Sequence, residues 1–346
     1  MNSKEIIRRN IDFNNPERIG LDFIQPYQSD ILWIKAAELK AGGVADDNTL
    51  DWGHHAELLQ KTPGFHGEVM ADEWGTIYGR LDRITKGEPI KGALEDGWEA
   101  LENFSFPVID SSYYNQTKDL LLDNSSKFIL GALPCSPFAT MREMRRMDNL
   151  FIDLLTEEDK VLVLTDRIEK LMYGIIEACA ENEFDGVVIY EDWGIQNTLL
   201  INPRLWRSLF KPVYKRLISF THDKGLKFFV HSCGYIYDII EDFIEIGVDV
   251  FQFDQPELVG VEKLANEFGG RVTFWCPVDI QKVMVTGDRR LIENEAVKML
   301  DCFGRFNGGF IAKDYPQWDA IGVKDEWAQW ARDVFVKNGL RERYIL

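Results

Sequence analysis

The chain has 346 residues, 45% of them hydrophobic and 12% aromatic, enough to pack one large barrel or two ordinary domains. Its formal net charge of −18 argues against nucleic acid or an anionic membrane as partner. No apolar stretch approaches the ~20 residues of a membrane span, the start Met1-Asn2-Ser3-Lys4-Glu5 lacks the apolar centre of a signal peptide, and five scattered cysteines suit reduced thiols in the cytoplasm rather than a disulfide framework.

Taken in chain order, Ile19–Phe23 is the first candidate strand. A long polar segment follows, with Trp-rich patches such as Asp72-Glu73-Trp74-Gly75-Thr76, and is expected to form helices and an excursion over a barrel mouth. Phe106–Ile109 is the second candidate strand, and Phe128–Leu133, Gly186–Glu191, Leu226–His231, Val248–Phe253, Val272–Cys276 and Gly309–Ala312 are the next six. Between the later ones lie helical patterns at Pro203–Lys224, Ile236–Ile246, Val261–Phe268 and Arg289–Phe303. Strands alternating with helices imply parallel pairing through right-handed crossovers. The expectation is a closed (β/α)8 TIM barrel with an N-terminal helical excursion, a single α/β domain over 1–346, with a doubly wound open sheet as the alternative.

Active sites of such barrels lie at the carboxyl ends of the strands. The residues there are Asp110, Cys135, Glu191-Asp192, His231-Ser232-Cys233, Asp254, Cys276 and Lys313-Asp314. His231 and Cys233 close the fifth strand, where residues i and i+2 point the same way. Cys276 closes the seventh, and alternate strands share layers inside such barrels. One imidazole and two sulfurs form a soft donor set that selects Zn²⁺ over Mg²⁺ or Ca²⁺, and three protein ligands leave one position open. The predicted metal ligands are therefore His231, Cys233 and Cys276.

Two carboxylates are the candidate catalytic groups. Glu191, with Asp192 beside it, is read as a fourth metal ligand, a general base, or a salt-bridged rim acid. Asp279 is close enough in sequence to Cys276 to serve the site, and equally suits a cap on the following helix. The chain has no G-x-x-x-x-G-K-[ST] or G-x-G-x-x-G phosphate loop and no G-x-S-x-G elbow. It also lacks an Asp-x-His-x-x-Gly stretch, so any corrinoid would arrive on another protein.

From about Glu5 to Phe335 the sequence resembles the uroporphyrinogen decarboxylase superfamily. Asn15-Pro16-Glu17-Arg18-Ile19 looks like that family's opening, and Val230-His231-Ser232-Cys233-Gly234 and Gly247-Val248-Asp249-Val250 look like its later strands. Within it the match is to the cobamide-dependent methyltransferase branch, whose His-x-Cys and distant Cys zinc ligands map onto His231, Cys233 and Cys276. The resemblance implies a zinc methyltransferase working with a corrinoid (cobalamin) protein and a small methyl donor or acceptor: a methoxy compound, a methylamine or a thiol. True decarboxylases carry an arginine-rich segment after the first strand; here Phe23-Ile24-Gln25-Pro26-Tyr27-Gln28 has none, which argues against porphyrinogen decarboxylation. The rival from another class is a glycoside hydrolase using Glu191 with Asp279 or Asp314. Trp52, Trp74 and Trp193 are expected either to wall an apolar site or simply to pack.

Overall fold

The computed structural model describes residues 1–42, 49–83, 85 and 87–340. Eight short runs, seven of them rich in β-branched and aromatic residues, form one parallel sheet: β1 (Gly20–Asp22), β2 (Ile31–Lys35), β3 (Phe128–Ala132), β4 (Gly186–Tyr190), β5 (Lys227–His231), β6 (Val250–Gln252), β7 (Thr273–Cys276) and β8 (Phe310–Lys313). Spatially they run β1-β8-β7-β6-β5-β4-β3-β2, each ladder parallel, so only β1 and β2 remain to be joined. The chain itself fills that seam. Residues 23–30 turn back beside β1, with an antiparallel bridge between Asp22 and Ser29 and a 2.7 Å bond from the Asp30 amide to the Leu21 carbonyl. Asp30, fully buried, accepts the Leu21 amide at 2.9 Å and a two-pronged contact from Arg18 at 2.6 and 2.7 Å. The result is a nearly closed α/β barrel, as the sequence predicts.

The second strand differs from expectation. Val108–Ile109 pairs antiparallel with Leu39–Lys40, and Ile31–Lys35 takes its place in the barrel. No helix separates β1 from β2, so the strand–helix alternation that marks the later strands is missing here, although Ile31-Leu32-Trp33-Ile34 is itself an apolar run.

Successive strand residues alternate in and out, and the inward set is one apolar cluster: Ile31, Phe128, Leu130, Ala132, Val188, Phe229, Val250, Trp275 and Ile311. Ile7 and Ile11 of the helix Ser3–Ile11 join it. That helix closes the amino end of the barrel, where the Asn10 carbonyl accepts from the Gly309 amide at 2.8 Å and from the Thr273 hydroxyl at 3.2 Å. The opposite, carboxyl end is left for chemistry. Outside, Pro203–Lys224 divides into helices Pro203–Leu209 and Lys211–Asp223, because Pro212 has no amide to continue the ladder. No described helix is long and apolar enough to cross a membrane.

The barrel strands and the helices after β4 belong to one compact unit, Met1–Ala36, Thr117–Ala132 and Ile176–Leu346. A second unit comprises Ala37–Gln116 and Leu133–Ile175. Besides helices it holds a three-stranded antiparallel sheet, Glu68–Ala71, Ile77–Arg80 and Glu88–Lys91, over a core of Leu58, Val69, Ala71 and Ile77. Within this unit Trp74 is buried edge-on against Phe106, and the Arg80 guanidinium covers Trp52 at 4.3 Å.

Candidate metal centre

β4 and β5 run in register, Tyr190 beside His231, so the residues that follow leave the barrel together. Two glycines let the loops touch. A Cβ on Gly234, whose φ is +79°, would stand 2.2 Å from the Gly194 carbonyl oxygen, and one on Gly194 would stand 2.5 Å from the Tyr235 nitrogen. The Gly194 amide donates to the Cys233 carbonyl at 3.3 Å, and the Cys233 amide donates to Oδ1 of Asp192 at 2.9 Å. This pairing sets Asp192 beside Cys233 and His231.

Nε2 of His231 lies 3.4 Å from the Cys233 Sγ and 3.5 Å from Oδ1 of Asp192, and the three ligand atoms all fall within 4.8 Å of one another. Zn²⁺ at ordinary bond lengths of about 2.0–2.3 Å, in tetrahedral geometry, separates its ligand atoms by roughly 3.5 Å. Donor types and spacings therefore fit zinc, with one coordination position left over. His231 is buried, whereas Asp192 and Cys233 are half-buried, so the set opens on one side.

The other face of His231 is fixed. Its Nδ1 meets Oε1 of Gln252, whose amide nitrogen donates to Oδ1 of Asp254 at 2.7 Å; the same oxygen receives Nζ of Lys313 at 3.1 Å. Burial opposes a charged imidazole, yet Asp192, Cys233 and Asp254 together push the His231 pKa up to about 10. Burial likewise opposes charge on Asp254, but Lys313, His231 and Gln252 hold it below the usual carboxylate range. At the foot of the same barrel end, Asp22 accepts from the Ser29 hydroxyl at 2.9 Å and from the Trp275 indole at 3.2 Å, and burial raises its pKa despite Lys313. Trp33 donates to the Tyr190 hydroxyl at 3.1 Å, and the Tyr190 ring lies 5.1 Å from His231. Trp33 is 51% exposed and Tyr190 39%, although both lie on the inward face. They line open space beside the donor set.

Of the three predicted ligands the structure joins His231 and Cys233 but does not bring Cys276 to them. β7 turns Trp275 inward, so its neighbour Cys276 points outward and is fully buried, with burial pushing its pKa up to about 12. The carboxylate of Asp192, one of the two acids read at the end of β4, occupies the third place. Its neighbour Glu191 faces the helix layer, where it is fully buried and accepts the Tyr214 hydroxyl at 2.8 Å. Asp279 holds a turn and caps no helix: its oxygens take the amides of Gln281, Lys282 and Glu257 at 2.9, 2.7 and 3.1 Å. Asp314 is held by Arg332 at 3.0 Å. Trp193 is fully buried against Trp206 and Phe210, so it packs rather than lines a site. Sequence reasoning missed Gln252, Trp33 and Asp22: alternation runs within one strand, and none of their three strands carries a residue whose inward aim the sequence fixes.

Comparison with solved structures supports the fold. A methyltransferase from Methanosarcina mazei is similar at TM-score 0.60 and 11% sequence identity, over 97% of this chain and 99% of that one. A B12-independent methionine synthase from Shewanella gives TM-score 0.45 at 12% identity, over 68% of this chain and 72% of that one. D-psicose 3-epimerase from Clostridium cellulolyticum gives 0.42 at 10%, over 71% and 87%. At 11% identity the first of these likenesses speaks to fold alone. No curated protein sequence matches. The family described as Uroporphyrinogen decarboxylase (URO-D) matches residues 107–313, more than half of the chain, which therefore belongs to that family.

Proposed function

We propose that the chain is a zinc-dependent methyltransferase, moving a methyl group between a small substrate and a corrinoid carried by a separate protein. The observation that carries this reading is the convergence of His231, Cys233 and Asp192 beside an open, aromatic-walled space at the carboxyl end of the barrel. Bound zinc supplies Lewis acidity, lowering a substrate thiol's pKa or steadying the oxygen anion released from a methyl ether. One thiolate, one carboxylate and a neutral imidazole balance its two positive charges, as two thiolates and an imidazole would. The site can then still attract an anionic ligand. Trp33 and Tyr190 offer apolar contact area for the substrate, and their mutual hydrogen bond fixes the two rings.

The rivals lack support. A porphyrinogen decarboxylase needs arginines near residues 23–28, and the nearest upstream arginine, Arg18, is committed to Asp30. A glycosidase needs two free carboxylates, and Glu191, Asp279 and Asp314 are all buried and bonded.

The test is to measure zinc content and then incubate the protein with methylcobalamin or cob(I)alamin and panels of thiols, methoxy compounds and methylamines. Zinc-dependent interconversion of the two cobalt spectra is the expected result. No interconversion in any panel, with a corrinoid protein supplied, overturns the reading.

A further inference from the structure

The chain of groups behind His231 has a fixed hydrogen-bond polarity. Lys313 only donates, and Asp254, held ionised by its neighbours, only accepts. Oδ1 of Asp254 already receives Lys313 at 3.1 Å and a nitrogen of Gln252 at 2.7 Å. The amide of Gln252 therefore shows its NH₂ to Asp254, which leaves its oxygen facing Nδ1 of His231. An amide oxygen accepts and cannot donate, so Nδ1 must carry a hydrogen. In a neutral imidazole that leaves the lone pair on Nε2, the nitrogen that faces Cys233 and Asp192.

We infer that Gln252 is a positioning residue that sets the tautomer of His231, and that Asp254 and Lys313 hold Gln252 in the orientation that does so. The inference rests on the metal reading above and adds what makes Nε2 the ligand. All four groups are buried, so water does not compete for these bonds. The arrangement also fixes the ring plane, because β5 and β6 pair His231 directly with Gln252. Outer partners of this kind change metal affinity about 10–100-fold when removed.

Three proteins test it by chelator competition for Zn²⁺ and by the absorption of Co²⁺ placed in the site. Gln252→Leu keeps the side-chain volume and removes the acceptor; its zinc affinity should fall about 10–100-fold. Gln252→Glu combined with Asp254→Asn exchanges carboxylate and amide, so an acceptor still faces Nδ1 and an NH₂ still bridges the two side chains; its affinity should stay within about threefold of the original, a rescue that a merely space-filling role would not give. In the zinc-loaded original protein, ¹⁵N-histidine spectra should show a proton on Nδ1 and metal on Nε2 of His231, a readout that needs no variant to fold. Wild-type zinc affinity in Gln252→Leu, or metal on Nδ1, overturns the inference and leaves the metal reading standing. Absence of stoichiometric zinc uptake by the original protein overturns both.

Discussion

Oδ1 of Asp192 accepts the amide hydrogen of Cys233 at 2.9 Å while lying 3.5 Å from Nε2 of His231. One oxygen thus binds the loop that carries the thiol and faces the imidazole. Asp192→Asn preserves an oxygen for the amide and loses the negative charge. We expect a fall in zinc affinity of at least about tenfold with little change in unfolding midpoint, and a larger fall in Asp192→Ala, which also frees the loop. Wild-type zinc affinity in both, by chelator competition, would remove Asp192 from the ligand set.

Cys233 and Cys276 should behave oppositely. Cys276 points away from the donor set and is fully buried, so Cys276→Ser should keep one metal ion per chain at unchanged affinity. Cys233→Ser should abolish the near-ultraviolet sulfur-to-Co²⁺ charge-transfer band of the cobalt-loaded protein. Loss of that band on replacing Cys276 instead would restore the ligand set drawn from the sequence.

The glycine contact between the two loops gives a third expectation. Gly194→Ala adds a methyl 2.5 Å from the Tyr235 nitrogen, a distance at which backbone must move. The cost is about 1–3 kcal/mol in stability, as for other overpacked sites, and a weakened metal site, although no ligand is altered. Urea unfolding and zinc titration on the same preparation check both parts; unchanged affinity would show that the loops are not the support described.

On the outer layer, Glu295 and Glu257 share Lys298, which lies 2.6 Å from the first and 2.7 Å from the second. Burial and the hydrogen bond with Glu257 raise the Glu295 pKa from 4.5 to about 7. A raised carboxyl is protonated more readily in the folded than in the unfolded chain, so its contribution is complete below about pH 4.5 and is lost as pH rises toward 7. Glu257, held lower by Glu295 and Lys298 in spite of its burial, contributes in the opposite sense. Glu295→Gln mimics the protonated form, so its urea midpoint should gain on the original protein between pH 5 and pH 8. A difference that does not change with pH would contradict the coupling.

Much of the barrel was legible because its later strands are buried on both faces and read as unbroken apolar runs. β2 was not: Ile31–Ile34 is an apolar run, but no helix separates it from β1, so it falls outside the strand–helix alternation that marks the later strands. His231 and Cys233 were legible from an i, i+2 spacing on one strand. The third member of the donor set was harder: Cys276 has the right chemistry and the right strand end, but strand alternation places Trp275 inside and the thiol outside. Between Glu191 and Asp192 the sequence offers no choice either. One residue of register sends the first to Tyr214 and the second to His231 and Cys233. Gln252 lies beyond such reasoning, because its role depends on which groups Asp254 already binds.

The pairing of β1 with β8 joins residues about 290 positions apart, and Ile7 and Ile11 seat among strands drawn from the whole chain. During translation at about 5–20 residues per second, β1 emerges some 15–60 s before its partner exists. For that interval a strand edge and an amphipathic helix are held without their native cover, and the barrel can shut only when its final strand leaves the ribosome. Shielding of residues 3–22 by a chaperone until β8 has been made should therefore raise the yield of soluble protein.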